Sequence, residues 1–160
     1  MGSNVGNRPA RLRAAVRALD SLPGTRVVRL SPVYETSAVG PPQRDFLNAV
    51  AEIRTELSPS ELLVSLKSAE RRLGRRRRKK WGPREIDLDF LYFGRRILRG
   101  EPQVPHPRAA GRRFVLRPMA DLAPGFKDPS SGRTVSVLLG RLTDPDQSVR
   151  LLMRKLPWKK

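Results

Sequence analysis

Two amphipathic helical stripes, three extended stretches set around them and a glycine-rich turn at the N-terminal end predict an α+β fold for this 160-residue chain. In order they read helix, strand, strand, helix, strand. That order lacks only a leading strand to become βαββαβ, the split arrangement of a ferredoxin-like sandwich. A strand would normally feed the turn at Gly2-Ser3-Asn4, so the first strand is expected to be missing or truncated at Met1. A chain of this length buries about two thirds of the surface it exposes when unfolded, enough for one core. Residues 1–160 are therefore expected to form a single domain, with 143–160 as a basic C-terminal tail.

Each element has a local cause. Leu12, Ala15, Val16, Leu19 and Leu22 recur at helical spacing, with Asn7 or Arg8 as cap, Pro9 in the first turn and Pro23-Gly24 as the stop. Arg26 to Thr36 is rich in Val, Leu, Tyr and Thr and reads as a strand, with Pro32 demanding an edge or a bulge because it has no N–H to give a ladder. After a loop from Ser37 to Asp45, Phe46 to Leu57 alternates Leu47, Ala49, Ala51 and Ile53 against polar residues and reads as a second strand with one packed face. Ser58-Pro59-Ser60-Glu61 is a capping box with proline at the first helical position; Leu62, Leu63, Leu66, Ala69 and Leu73 form the stripe behind it, and Gly74 the C-terminal cap. Glu85 to Phe93 is expected as a strand closed by Gly94, with Arg95 to Arg99 pairing back on it. Short helices are expected near Phe114 to Leu122 and Val135 to Leu142.

Composition removes several kinds of chemistry. Cysteine is absent, which excludes disulfides, thiolate metal sites and cysteine nucleophiles and fits a reducing, cytoplasmic setting. No apolar run approaches the roughly 20 residues of a membrane span. The 33 Lys and Arg against 15 Asp and Glu leave a formal charge of +18, which attracts polyanions of any kind, nucleic acid included. The excess is concentrated: eight of the ten residues from Arg71 to Lys80 are basic. A solvated loop is the ordinary reading of such a run.

Asp87 and Asp89 stand two apart in an extended segment, so their carboxylates share a face while Ile86, Leu88, Phe90 and Tyr92 take the other. Two carboxylates about 7 Å apart can hold a hard cation between them, and without positive company they would repel and lose hydration. A structural network of arginines would satisfy them; so would magnesium carrying a nucleotide triphosphate. Trp81-Gly82-Pro83-Arg84 just upstream favours the second, supplying a rigid turn, an aromatic plane and a guanidinium matched to phosphate. The Arg75 to Lys80 run adds cations able to cover phosphate oxygens once a ligand is in place.

Gly2-Ser3-Asn4, Tyr34-Glu35-Thr36, Phe46-Leu47-Asn48-Ala49, Leu73-Gly74-Arg75, Trp81 to Asp89, Pro105-His106-Pro107-Arg108 and Phe114-Val115-Leu116 together resemble the 6-hydroxymethyl-7,8-dihydropterin pyrophosphokinases of folate synthesis. The resemblance runs in order from residue 2 to about residue 140. It implies a ferredoxin-like enzyme that moves the β,γ-diphosphate of MgATP to the pterin hydroxymethyl group and releases AMP; a monomer is expected. It implies that Asp87 and Asp89 bind two magnesium ions, that Arg75 and Arg84 neutralise phosphate charge, and that Arg77 and Arg112 assist. His106 would lie near the ATP phosphates and Glu70 near the nucleotide. For the pterin it implies main-chain groups of Thr36, Ser37, Ala38 and Val39, the amide of Asn48, and the planes of Trp81, Phe46 and Phe114. Residue chemistry alone leaves other roles open: core packing for the two phenylalanines, turn capping for Asn48, and a turn position for His106 between two prolines.

The sequence departs from that family in three places. An apolar strand precedes Gly-Ser-Asn in the family, whereas here Met1 takes its last position; Lys67 stands where a glutamine is common; and the Arg75 to Lys80 loop is short and uniformly basic. Two alternatives compete with the enzyme: a basic ferredoxin-like module for single-stranded RNA, and an inactive relative of the same fold. The first leaves Asp87 and Asp89 without a purpose on a surface meant for phosphates.

Overall fold

A computed structural model of the chain describes residues 1–38, 40–76, 82–143 and 147–159. Among them lie six strands, β1 (Gly2–Ser3), β2 (Thr25–Leu30), β3 (Val33–Thr36), β4 (Phe46–Asn48), β5 (Ala51–Thr55) and β6 (Val149–Met153), and four helices, α1 (Arg8–Asp20), α2 (Pro59–Arg72), α3 (Arg113–Leu122) and α4 (Val135–Gly140). The strands form one sheet in the order β1-β4-β3-β6 and a second of β2 and β5, with every pairing antiparallel. The architecture is α+β.

The helices start where their caps dictate. Asn7 accepts the Ala10 N–H at 3.1 Å to open α1. Ser58 and Glu61 exchange both bonds of a capping box to open α2. At the end of α2, Gly74 adopts φ +88°, which lets the Arg75 N–H reach back to the Glu70 carbonyl at 3.0 Å. Arg75 is thereby folded against the last turn of α2.

Each of the two long strands expected over Arg26 to Thr36 and Phe46 to Leu57 is broken in two, at matching levels. Pro32 has no N–H, and opposite it the chain kinks at Ala49-Val50; Ser31 bridges the corner, its N–H donating to the Val50 carbonyl and its hydroxyl accepting the Val50 N–H, both at 2.9 Å. The register moves by one residue across this corner. A bulge was the expected cost of Pro32, and its effect is to send one hairpin into two sheets.

Glu85 to Phe93, expected as a strand with Arg95 to Arg99 folded back on it, pairs instead only at Asp87, by reciprocal bonds of 2.9 and 2.8 Å with Gly2. Its other main-chain groups are claimed elsewhere: the Leu88 N–H by the Glu70 carboxylate and the Leu91 carbonyl by the His106 N–H. Leu98 pairs forward with Val104 rather than back. Period-two burial nonetheless survives, with Ile86 and Leu88 in the core and Asp87 and Asp89 on the opposite side.

The core joins the stripes of α1 and α2 to Val27, Val33, Leu47, Ala49, Ile86 and Leu88. A smaller cluster holds α3 to α4 through Leu116, Met119, Val135 and Leu138. Within 143–160, expected as a basic tail, Val149–Met153 forms β6 against β3, and Leu156 is buried in the main core. No helix among the described residues is long and apolar enough to cross a membrane.

Candidate active site

A cleft of about 180 Å³ opens where β1, β3 and β4 meet the Arg84 to Leu91 segment and the start of α3. One wall carries Arg84, Asp87 and Asp89. A second wall carries Thr36, Ser37, Phe46 and Asn48, and Arg112 and Phe114 complete the lining.

The carboxylate wall is built from the N-terminal turn outwards. Asn4 donates its N–H to the Arg84 carbonyl at 3.0 Å and accepts the Arg84 N–H on its side chain at 2.7 Å. Its amide nitrogen donates to Gln43 Oε1 and the Arg44 carbonyl at 3.0 and 2.9 Å, so one buried asparagine ties the Arg84 backbone to the loop before β4. Ser3 adds a 2.7 Å bond to the Glu85 carbonyl. With that segment fixed, Asp87 projects at 28% exposure and pairs with Arg75 at 2.6 Å and with Arg84 at 3.8 Å. Asp89 is exposed and makes no ion pair or hydrogen bond among the described residues.

Behind Asp87 lies Glu70, at 2% exposure on the last turn of α2. Its Oε1 accepts the Leu88 N–H at 2.7 Å and the Arg75 guanidinium, while Lys67 stands 3.6 Å from Oε2. Burial pushes this carboxyl above its usual range; the Leu88 bond, Lys67 and Arg75 pull against the shift. Glu70, expected beside the nucleotide, thus has its oxygens turned to protein groups.

The neutral wall is ordered by β3 and β4. Tyr34 and Asn48 are partners in register, which brings the Asn48 amide nitrogen 2.7 Å from Thr36 Oγ1. Gly2 leaves room for this amide: a Cβ would stand 2.5 Å from Asn48 Oδ1 and force the amide to shift. Phe46 lies beside it on β4. α3 is placed by the bond from the Tyr34 hydroxyl to Asp121 at 2.5 Å and by Gln147, which accepts the Arg113 N–H at 2.6 Å. It presents Phe114 with the Arg112 guanidinium 5.3 Å from the ring centre.

The half-buried Arg112 is pushed down by its own burial and then by Arg108, with Asp89 and Asp87 opposing. His106 is lowered by burial first; the charge of Asp89 opposes this, and Arg112 and Arg108 reinforce it, which favours a neutral imidazole at pH 7. Its Nδ1 accepts the Arg108 N–H at 3.1 Å, so His106 shapes the turn that carries Arg108 rather than lining the cleft.

Of the residues picked from sequence, the cleft gathers Thr36, Ser37, Phe46, Asn48, Arg84, Asp87, Asp89, Arg112 and Phe114. Arg75 reaches it through Asp87. Ala38 and His106 do not line it, and Val39, Arg77 and Trp81 lie outside the described residues. Sequence reasoning missed Arg108, which lines the cleft four positions before Arg112, and Asn4, whose place in the Gly-Ser-Asn turn was noted without a role.

Hard oxygen donors suit magnesium, and Asp87 and Asp89 provide them. Among the described residues no group of three or more His, Cys, Asp or Glu forms a metal cage. Magnesium beside phosphates is usually held by one or two carboxylates, with water and substrate oxygens completing its shell, and Asp87 and Asp89 suit that role. A cleft with two carboxylates ringed by guanidinium groups, next to an amide and aromatic rings, belongs to a protein that handles a phosphorylated ligand beside a flat polar one.

The family model described as 7,8-dihydro-6-hydroxymethylpterin-pyrophosphokinase matches residues 1–124. Three proteins named 2-amino-4-hydroxy-6-hydroxymethyldihydropteridine pyrophosphokinase are similar along most of their length. That of Synechocystis sp. is 41% identical over 140 residues, 87% of this chain and 72% of the relative. That of Pseudomonas aeruginosa is 43% identical over 141 residues, 87% and 86% of the two chains. That of Bacillus subtilis is 45% identical over 124 residues, 76% and 74%. The chain belongs to the 7,8-dihydro-6-hydroxymethylpterin-pyrophosphokinase family.

Proposed function

We propose that the cleft moves a diphosphate from MgATP to the hydroxymethyl group of 6-hydroxymethyl-7,8-dihydropterin, with AMP as the second product and with the residues gathered there as the machinery. The observation that carries this reading is the meeting, in one cleft, of an Asp87 and Asp89 wall bordered by guanidinium groups with a wall formed by Thr36, Asn48 and Phe46.

In this reading the pterin edge meets the Asn48 amide and the main chain of Thr36 to Val39. Its rings stack on Phe46 and Phe114, with Trp81 kept from the family resemblance as a third aromatic plane, as suits a flat heterocycle edged with donors and acceptors. Arg84 and Arg112 in the cleft, with Arg75 and Arg77, neutralise the triphosphate. Two magnesium ions held by Asp87 and Asp89 would supply charge neutralisation across the triphosphate and lower the pKa of the attacking hydroxyl. The pterin oxygen forms a bond to the β-phosphorus while the bond from that phosphorus to the α,β-bridging oxygen breaks, and that oxygen leaves on AMP. The hydroxyl proton passes to water, with no side chain assigned as base. His106 fixes the main chain of the turn that carries Arg108, and Arg108 in the cleft adds a further guanidinium for those phosphates.

The same reading takes the architecture as ferredoxin-like, Gly2–Ser3 being a first strand held between β4 and Asp87. It takes residues 1–160 as one cytoplasmic, monomeric enzyme. Incubation of the protein with MgATP and the pterin alcohol tests it. Pterin-dependent release of AMP is the expected outcome. ATP left intact, with salt-sensitive RNA binding in its place, overturns it.

A further inference from the structure

Glu70 is a buried carboxylate beside the site that does not line the cleft, and its surroundings explain why it is there. A carboxylate at 2% exposure carries a heavy desolvation cost unless it is paired and hydrogen-bonded. On its stripe of α2, between Leu66 and Leu73, an apolar residue would pack without that cost. Two things would then be lost. The Leu88 N–H, now 2.7 Å from Glu70 Oε1, would have no acceptor, and the Arg75 guanidinium would have no second anchor.

Both losses fall on the catalytic wall. Leu88 stands between Asp87 and Asp89, so a bond that fixes its amide fixes the direction in which both neighbouring carboxylates project. Arg75 uses the same nitrogen, Nη1, toward Glu70 Oε1 and toward Asp87 Oδ1, the latter at 2.6 Å. Its backbone N–H is bonded to the Glu70 carbonyl as well, so Glu70 holds Arg75 from both ends. A cation bound at Asp87 would weaken the attraction between Asp87 and Arg75, and Glu70 would remain as the anchor that keeps Arg75 at the rim, within reach of an anionic ligand.

We propose that Glu70 is a positioning residue: a buried carboxylate that seats Arg75 and locks the Leu88 main chain, acting on the reaction through both while touching no substrate. This rests on the reading of the cleft given under Proposed function. The role differs from a nucleotide contact in what it costs when removed. A nucleotide ligand would surrender ground-state binding and raise KM for ATP, whereas a residue that aims Arg75 and the two aspartates would surrender kcat.

Glu70→Gln and Glu70→Ala separate the two jobs. Glutamine keeps an oxygen for the Leu88 N–H and removes the charge that anchors Arg75; alanine removes both. For Glu70→Gln, kcat should fall about tenfold or more with KM for ATP within about threefold of the original, and the Leu88 amide should keep its protection from hydrogen exchange. For Glu70→Ala, kcat should fall by about 10² or more and the protection of Leu88 should drop at least tenfold. Should the alanine variant fail to fold, the glutamine variant decides alone. Glu70→Gln with unchanged kcat, or with KM for ATP raised about tenfold at constant kcat, overturns the proposal. If the unmodified protein releases no pterin-dependent AMP, the reading of the cleft fails instead, and exchange at Leu88 still reports whether Glu70 locks that backbone.

Discussion

The two walls of the cleft are prepared in opposite ways. On the neutral wall, Asn48 is already turned by Thr36 at 2.7 Å and hemmed by Gly2, so a flat ligand would meet groups that need not move. On the charged wall, Asp87 is taken up by Arg75 and Arg84, and any cation or phosphate must compete with those pairs before it can bind. A neutral amide can be held ready by one hydrogen bond, but opposite charges left facing each other in a half-buried site pair with one another. Under the proposed reading of the cleft, the difference teaches that ligand selection on one side is preorganised, while on the other it exchanges protein ion pairs for ligand ion pairs.

Breaking the charged wall should have the larger consequence. Asp87→Asn keeps the shape of the side chain but removes the charge proposed to hold magnesium and the partner of two arginines; AMP release should fall by roughly 10³-fold, measured at saturating ATP and pterin. On the neutral wall, Gly2→Ala places a methyl group on Asn48 Oδ1 and must turn the amide off Thr36. That should raise KM for the pterin by about tenfold, leave KM for ATP within about twofold, and lower stability by about 1–2 kcal/mol. Equal damage to both Michaelis constants would mean that the two walls are not separate.

The smallest effect lies outside the cleft, where Arg150 of β6 and Arg8 of α1 both grip Glu35 of β3. Burial would raise the Glu35 carboxyl, but the bonds from Arg8 and Arg150 outweigh it and hold the carboxyl below the usual carboxylate range. A depressed carboxylate contributes stability above its unfolded pKa, about 4.3, and that stability is lost as pH falls through the lower folded value. Since the Arg150 side chain is 71% exposed, Arg150→Ala should cost only about 0.5 kcal/mol at pH 7, and the difference should shrink on acidification to about pH 3. Denaturant midpoints at the two pH values check it, with no change in activity expected.

Much of this site was legible because its signals are local. The period-two pattern of Ile86, Asp87, Leu88 and Asp89 placed two carboxylates on one face whether or not the segment became a strand. The caps of α1 and α2 were written in Asn7, Ser58 and Glu61, and the stop of α2 in Gly74. What stayed hidden depends on distant partners. Pro32 announced a bulge, but nothing local says that Ser31 will bond Val50 and divide the hairpin between two sheets. Arg95 to Arg99 looked like the return arm of a hairpin, yet the groups of the preceding segment were already claimed by Gly2, Glu70 and His106. Glu70 did leave a signal: a glutamate on the apolar stripe of α2, four residues after Leu66, where only a paired carboxylate can be buried.

Asp89 offers the most direct test, because it is exposed and its replacement breaks no ion pair or hydrogen bond among the described residues. The measurement is pterin-dependent AMP release by Asp89→Asn, taken together with its thermal midpoint. A midpoint within about 2 °C of the original and a rate lowered by about 10³-fold is the expected result. A variant equally stable and equally active would contradict the assignment of Asp87 and Asp89 as the catalytic pair.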